Sequence, residues 1–135
     1  MIDHTGVIVS NFESSCKWYE TALKAIDYAK LFEFDGKLSG SNYVAGFGEA
    51  STGKPDFWIC GATKDKPVNN PVIHVAFRAQ NRKQVDEFYN AAIRAGGKDN
   101  GKPGIRPHYH ENYYGAFVLD LDGHNIEVVC HNPEA

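Results

Sequence analysis

Residues 4–10, HTGVIVS, and residues 72–79, VIHVAFRA, open two halves of one chain, and the comparison between them decides the fold. In the first stretch Thr5, Val7 and Val9 alternate with His4, Gly6 and Ile8. In the second, Ile73, Val75 and Phe77 alternate with His74, Ala76 and Arg78. A period of two with one predominantly apolar row marks a half-buried strand. Sliding the chain along itself by 70 residues without gaps superimposes His4 on His74, Asn11 on Asn81, Tyr19 on Tyr89, Ala22 on Ala92, Tyr43 on Tyr113, Phe47 on Phe117 and Cys60 on Cys130. An internal repeat of this kind constrains the architecture before any single element does.

Working outward, each half starts a helix at an asparagine whose side chain can cap the first turn, Asn11 and Asn81, with Gln84 forming a capping-box-like pair in the second. Val85, Phe88, Tyr89, Ala92 and Ile93 follow at helical spacing, and Gly96-Gly97 stops the helix. Cys16, Tyr19 and Leu23 make the matching stripe in the first half. Strand signals follow at roughly 28–34, 42–48 and 57–62, then at 104–109, 113–119 and 125–131, separated by turns at Asp35-Gly36, Thr52-Gly53 and Asp122-Gly123. The expected organisation is a single domain over residues 1–135, with one module at 1–63, a Pro- and Asn-rich linker at 64–70 and a second module at 71–135. Neither module is large enough to bury its apolar face alone. The expected fold is α+β: two paired βαβββ modules forming a curled mixed sheet, a cup, with helices on its outer face.

The composition narrows the possible functions. The chain has 135 residues, 42% hydrophobic and 23% charged, with a formal net charge of −3. That balance is globular, and without a basic run neither nucleic acid nor an anionic membrane is expected as a partner. No apolar run is long enough to span a bilayer, and no signal peptide is expected at Met1-Ile2-Asp3-His4. Cys16, Cys60 and Cys130 are an odd, dispersed set. They are expected to be unpaired, in a reducing cytoplasm.

Strand parity gathers the chemistry. If Val75 and Phe77 face the helices, His74 faces the cup, and the same argument sends His4 inward. On the last strand Ile126, Val128 and Cys130 form the helix row, so Glu127 points into the cup. Two imidazoles and a carboxylate suit a catalytic divalent ion with open positions. Shifting Glu127 back by 70 gives Phe57, which cannot ligate; a slip of two offers Pro55 or Ile59, and a one-residue bulge would present Asp56.

At these residues the chain resembles the vicinal oxygen chelate superfamily, which includes glyoxalase I, fosfomycin- and bleomycin-resistance proteins and extradiol dioxygenases. The most specific stretch is YYGAFVLDLDGHNIEVV, residues 113–129, with HVAF at 74–77 and the helix carrying Phe88-Tyr89. The resemblance implies paired βαβββ modules and a divalent ion (Fe, Zn, Ni or Mn) held by His4, His74 and Glu127. It also implies a small-molecule substrate and a homodimer, the site lying within one chain or, in a swapped form, joining His4 of one copy to His74 and Glu127 of another. Glyoxalase I carries a fourth, glutamate ligand where this chain has Phe57 or a neighbour. The dioxygenase pattern has tyrosine and proline where Phe117 and Leu121 stand. Bleomycin-resistance proteins usually lack the ligand triad, which is intact here.

The function that follows is a metal-dependent lyase, isomerase or ring-cleaving oxygenase that chelates an oxygen-rich substrate and stabilises its oxyanion. The alternative is a small-molecule-sequestering protein without catalysis. His110 is the leading acid–base candidate, with His108 beside it. Arg106 is placed to pair with a substrate carboxylate. Tyr43, Phe47, Phe57, Tyr113 and Phe117 are expected as aromatic cup wall. His124 and His131 are expected at the surface, and Cys60 and Cys130 as small buried residues.

Overall fold

The structure, a computed structural model, describes residues 1–35 and 43–134. The elements run β1 (Thr5–Val9), α1 (Phe12–Leu23), a 3-10 turn (Lys24–Ile26), β2 (Tyr28–Phe34), β3 (Val44–Glu49), β4 (Phe57–Gly61), β5 (His74–Arg78), α2 (Arg82–Arg94), β6 (Lys98–Ile105), β7 (Tyr114–Leu119) and β8 (Asn125–Cys130). This is βαβββ twice, as the repeat predicts. Gly36 of one expected turn and Asn42 at the start of an expected strand lie outside the described residues.

Capping explains the helix starts. The Asn11 side chain accepts from Ser14 N–H at 3.0 Å, and Asn81 from Gln84 N–H at 2.9 Å. The Gln84 side chain reaches back to the N–H of Gln80, one residue before the cap. α2 ends in a Schellman pair, Gly97 N–H to Ala92 C=O at 2.9 Å and Gly96 N–H to Ile93 C=O at 3.1 Å, with Gly96 at φ +110°.

The strands form two four-stranded mixed sheets in the orders β1-β4-β3-β2 and β5-β8-β7-β6, each with one parallel pair, β1/β4 and β5/β8. They are two separate hydrogen-bonded ladders, not one continuous sheet. β6 is displaced from its expected place at 104–109 to Lys98–Ile105. Its sequence, KDNGKPGI, has no alternation; antiparallel pairing with β7 imposes the strand, with register breaks around Gly101 and Gly104.

Each sheet has one helix-facing side, and both sides enter a single core. Val7, Val9, Ile59, Phe77, Val118, Ile126 and Val128 are buried together with Trp18, Tyr19, Leu23 and Phe88 of the helices. Burial of each large side chain contributes about 1.5–3 kcal/mol. The Trp18 indole N–H donates to Ala92 C=O at 3.0 Å, tying α1 to α2.

The turn between β7 and β8 locks the halves together. Asp120 accepts the Tyr19 hydroxyl at 2.5 Å as well as the N–H groups of Asp122 and His124. Asp122 accepts Ser10 N–H. His124, expected at the surface, is fully buried. Its Nδ1 accepts from Ile73 N–H, so Nε2 carries the proton and donates to Ile8 C=O, each at 3.1 Å. The most family-specific stretch of the sequence is therefore also the clamp between the two modules.

Candidate functional site

The helix-free face of the second sheet carries the densest chemistry. The His74 ring Nδ1 lies 2.9 Å from Asn125 C=O and must donate to it. That bond fixes the tautomer and aims Nε2 at Glu127, whose Oε1 is 3.1 Å away. A neutral imidazole lone pair facing a carboxylate is repulsive unless a proton or a cation lies between them. The contact is closed by a second proton on His74, as an ion pair, or by a divalent cation, for which an imidazole lone pair and a carboxylate are fitting donors. The Tyr113 hydroxyl donates to the other carboxylate oxygen, Oε2, and burial together with that carboxylate holds the phenol above its ordinary range. Glu127 itself is only 2% exposed. Gly115 leaves room for this contact, since a Cβ there would lie 3.2 Å from the Tyr113 ring and 3.4 Å from Oε2.

Phe117 lies cross-strand from Glu127 on the same face. The His74 ring stacks on one part of it, centroids 6.2 Å apart, and the Arg106 guanidinium stands 5.6 Å from its centroid. Arg106 is held by a 2.7 Å bond to Lys102 C=O, and no carboxylate lies within ion-pair distance of it among the described residues. His74, Glu127, Tyr113, Phe117 and Arg106 thus form one constellation. An open cleft of about 800 Å³ runs past His74 and Tyr113 to Asp3, Asp56, Phe57 and His131.

His110 is exposed and sits one layer out. Asn112 N–H donates to its Nδ1, so Nε2 bears the proton and donates to His131 Nδ1 at 2.8 Å. Both rings meet Tyr113 edge-on, at 5.5 and 5.4 Å. His131 is at the surface as expected, but paired with His110 beside the site. His108 lies against exposed Tyr109 instead, the rings 4.2 Å apart and tilted by 44°.

Other expected site residues lie elsewhere. His4 does not join His74 and Glu127: its ring bonds Asp3 at 2.8 Å and is largely exposed. Among the described residues no group of three His, Cys, Asp or Glu side chains is arranged to hold a metal ion. Phe47 is not cup wall, and Phe57 reaches the cleft only from the core side. Both are buried on the helix side, where Phe57 packs at 5.2 Å from Tyr19 and 5.1 Å from Phe77. Tyr43 stacks on Phe12 at 5.5 Å, over the first turn of α1. Cys60 is half-buried on the helix-free face, whereas Cys130 is fully buried in the core.

The reason is register. β1 sets Thr5 opposite Phe57, whereas β5 sets Val75 opposite Ile126, so β4 and β8 correspond at an offset of 69, not 70. Glu127 therefore corresponds to Trp58. β3 compensates in the other direction: Gly46 lies opposite Trp58, where Phe117 lies opposite Glu127. Trp58 escaped the sequence reading because an ungapped shift reverses every side chain beyond a one-residue slip. Phe57, Trp58, Ile59 and Cys60 are all apolar, so the sequence carries no alternation there to reveal the slip.

Residues 1–128 match the family model described as the Glyoxalase/Bleomycin resistance protein/Dioxygenase superfamily. The chain belongs to that superfamily. Its fold is that of solved members. A glyoxalase/bleomycin resistance protein from Albidiferax ferrireducens aligns over 97% of this chain and 98% of its own, at 24% identity and TM-score 0.74. A glyoxalase I variant from Zea mays aligns over 95% of this chain and 46% of its own, at 24% identity and TM-score 0.73. A glyoxalase-related enzyme from Fulvimarina pelagi aligns over 96% of this chain and 87% of its own, at 14% identity and TM-score 0.68. No curated protein matches the chain. No helix among the described residues is long and apolar enough to cross a membrane.

Proposed function

We propose that this superfamily member is a metal-dependent enzyme acting on a small substrate with neighbouring oxygens, and that its metal centre is completed by a second copy. His74 Nε2 and Glu127 would supply two ligands and His4 of a second copy the third, which removes the separation of these groups within one chain. A divalent ion there supplies Lewis-acid stabilisation of negative charge developing on substrate oxygens. The orientation of His74 by Asn125 C=O, with Nε2 turned to the Glu127 carboxylate, is the observation that carries the reading.

The chain's own residues have distinct tasks. Tyr113 holds the Glu127 carboxylate in place through its hydroxyl. Arg106, anchored over Phe117, binds a substrate carboxylate bidentately. His110 holds a transferable proton on Nε2 and passes it to or from His131 Nδ1 at the rim. Three unpaired cysteines agree with a reducing cytoplasm.

Metal analysis of protein purified without chelator tests this reading. Bound iron indicates oxygen chemistry, and nickel or zinc indicates isomerisation or lysis. His74→Gln, Glu127→Gln and His4→Gln should each lose the ion. Mixing His4→Gln with Glu127→Gln copies should restore one intact site per pair. Metal retained by all three variants contradicts it. A second reading, ligand sequestration without catalysis, is favoured by Trp58 at the place where a fourth ligand would stand. Metal-independent ligand binding would select it.

A further inference from the structure

Ten asparagines are spread along the chain, and Asn100 alone is followed by glycine. The pair sits on β6, the outer strand of the second sheet and the one that breaks register. Asp99 lies opposite Val118 of β7, and Gly101 lies opposite Phe117, the very next residue. Asn100 is therefore the extra residue of a bulge, exposed and without a partner on β7. Gly101 stands at φ +150°, a backbone conformation that residues with a side chain rarely adopt.

Two contacts set the geometry of this pair. The Gly101 N–H donates to the Asp99 carboxylate at 3.0 Å, and the Asn100 side-chain amide donates to Asn125 Oδ1 at 3.2 Å. Asn125 is the residue whose backbone carbonyl orients His74. Asp99 thus offers a base at the main-chain nitrogen, while the amide is restrained by one exposed hydrogen bond. Gly101 carries no Cβ to obstruct approach of its nitrogen to Asn100 Cγ.

We infer that Asn100-Gly101 is a self-modification site, at which the main chain converts the Asn100 amide into a carboxylate on the helix-free face of the second sheet. The Gly101 nitrogen attacks Asn100 Cγ and gives its proton to Asp99. A Cγ–N bond forms, the Cγ–Nδ2 bond breaks, and ammonia leaves with that proton returned to it. The cyclic imide then takes up one water. Opening at Cγ restores the ordinary main chain and leaves an aspartate. Opening at the main-chain carbonyl leaves an isoaspartate, whose chain runs through Cβ. No metal or oxidant is needed. Either product adds one negative charge, taking the formal net charge from −3 to −4. The isoaspartate also lengthens the main chain by one atom just ahead of Gly101. A Cβ on that glycine would fall 2.9 Å from Phe117 Cδ1 and 3.3 Å from a terminal nitrogen of Arg106, so the lengthened chain presses on both groups.

Incubation of the folded protein in mildly alkaline buffer, followed by peptide mapping with mass spectrometry, tests the site. Asn100 should convert at least about tenfold faster than any other asparagine, with an acidic shift on ion exchange and isoaspartate detected by enzymatic methylation. The folded protein should convert within about tenfold of the rate of the urea-unfolded chain, because the bulge leaves the pair free to cyclise. Asn100→Gln, whose longer side chain closes the imide ring poorly, should show neither the shift nor the isoaspartate. Asn100→Asp carries the charge without the longer main chain, so it should melt with the parent, and the separated isoaspartate form should melt lower. Conversion of Asn100 no faster than elsewhere overturns the inference. So does a folded-state rate more than about tenfold below the unfolded one, which would make the strand a lock on the pair. Equal melting of parent, Asn100→Asp and isoaspartate forms overturns the strain placed on Phe117 and Arg106.

Discussion

The Tyr19 hydroxyl of α1 donates to the Asp120 carboxylate at the end of β7, 2.5 Å away and wholly inside the protein. It joins the helix of one module to the turn that precedes the last strand of the other. Tyr19→Phe removes the donor and leaves a buried carboxylate with two backbone partners in place of three. The expected destabilisation is about 1.5–3 kcal/mol, the range for a hydrogen bond to a charged group. Asp120→Asn keeps an oxygen for the two backbone N–H groups that share Oδ1 and disturbs only the Tyr19 bond at Oδ2, whereas Asp120→Ala removes all three acceptor contacts and should cost more. Urea midpoints with unchanged m-values check both.

His124 bridges Ile73 N–H and Ile8 C=O with its two ring nitrogens. Replacing it with leucine keeps the volume but orphans a donor and an acceptor on different modules. Each buried unsatisfied group costs about 1–3 kcal/mol, so a loss of about 2–5 kcal/mol is expected. Calorimetric unfolding of His124→Leu, compared with substitution of the exposed His108, tests it; equal melting temperatures would refute the bridge.

Alkaline pH should loosen the same core. Burial raises the Cys16 thiol from 9.0 to about 12, and burial with the Asp120 charge holds the Tyr19 phenol well above its ordinary 10.0. Both groups lose their protons more readily in the unfolded chain. Stability is therefore complete below about pH 9 and declines as pH rises from there through the folded-state values. Urea titrations at stepped alkaline pH should show this slope, and Tyr19→Phe and Cys16→Ala should each flatten part of it.

Tyr113 positions Glu127 through a single hydroxyl. Under the proposed metal centre, Tyr113→Phe should weaken metal affinity about 10–100-fold, as loss of an outer-shell partner does. Glu127→Gln should abolish stoichiometric binding. Equilibrium dialysis against zinc or ferrous iron distinguishes the two. An unchanged affinity in Tyr113→Phe would leave the hydroxyl with only a structural role.

Two neighbouring glycines of β3 should behave differently. A Cβ at Gly48 would fall 2.0 Å from the Lys54 carbonyl oxygen, a backbone atom that cannot rotate away. A Cβ at Gly46 meets only the outer ring of Trp58, which can swing into the cup. Gly48→Ala should cost about 1–3 kcal/mol or more by overpacking, and Gly46→Ala less, with a shifted Trp58 emission. Fluorescence and thermal melts on the same samples separate them.

What the sequence could settle was local. Alternation in HTGVIVS and VIHVAFRA, asparagine caps and the Gly96-Gly97 stop specify two βαβββ modules, because a strand's period and a helix's ends are set within a few residues. Parity on β8 placed Glu127 opposite the helix row without knowledge of any neighbour. Four things waited for tertiary structure. The pairing of β1 with β4 made Trp58, not Phe57, the counterpart of Glu127, since one residue of register reverses a strand's faces. Cross-module packing buried His124, which looks like a turn residue in isolation. Pairing with β7 drew KDNGKPGI into a strand that its own composition does not favour. The separation of His4 from His74 and Glu127 followed from the placement of whole modules, which no periodicity within either module encodes.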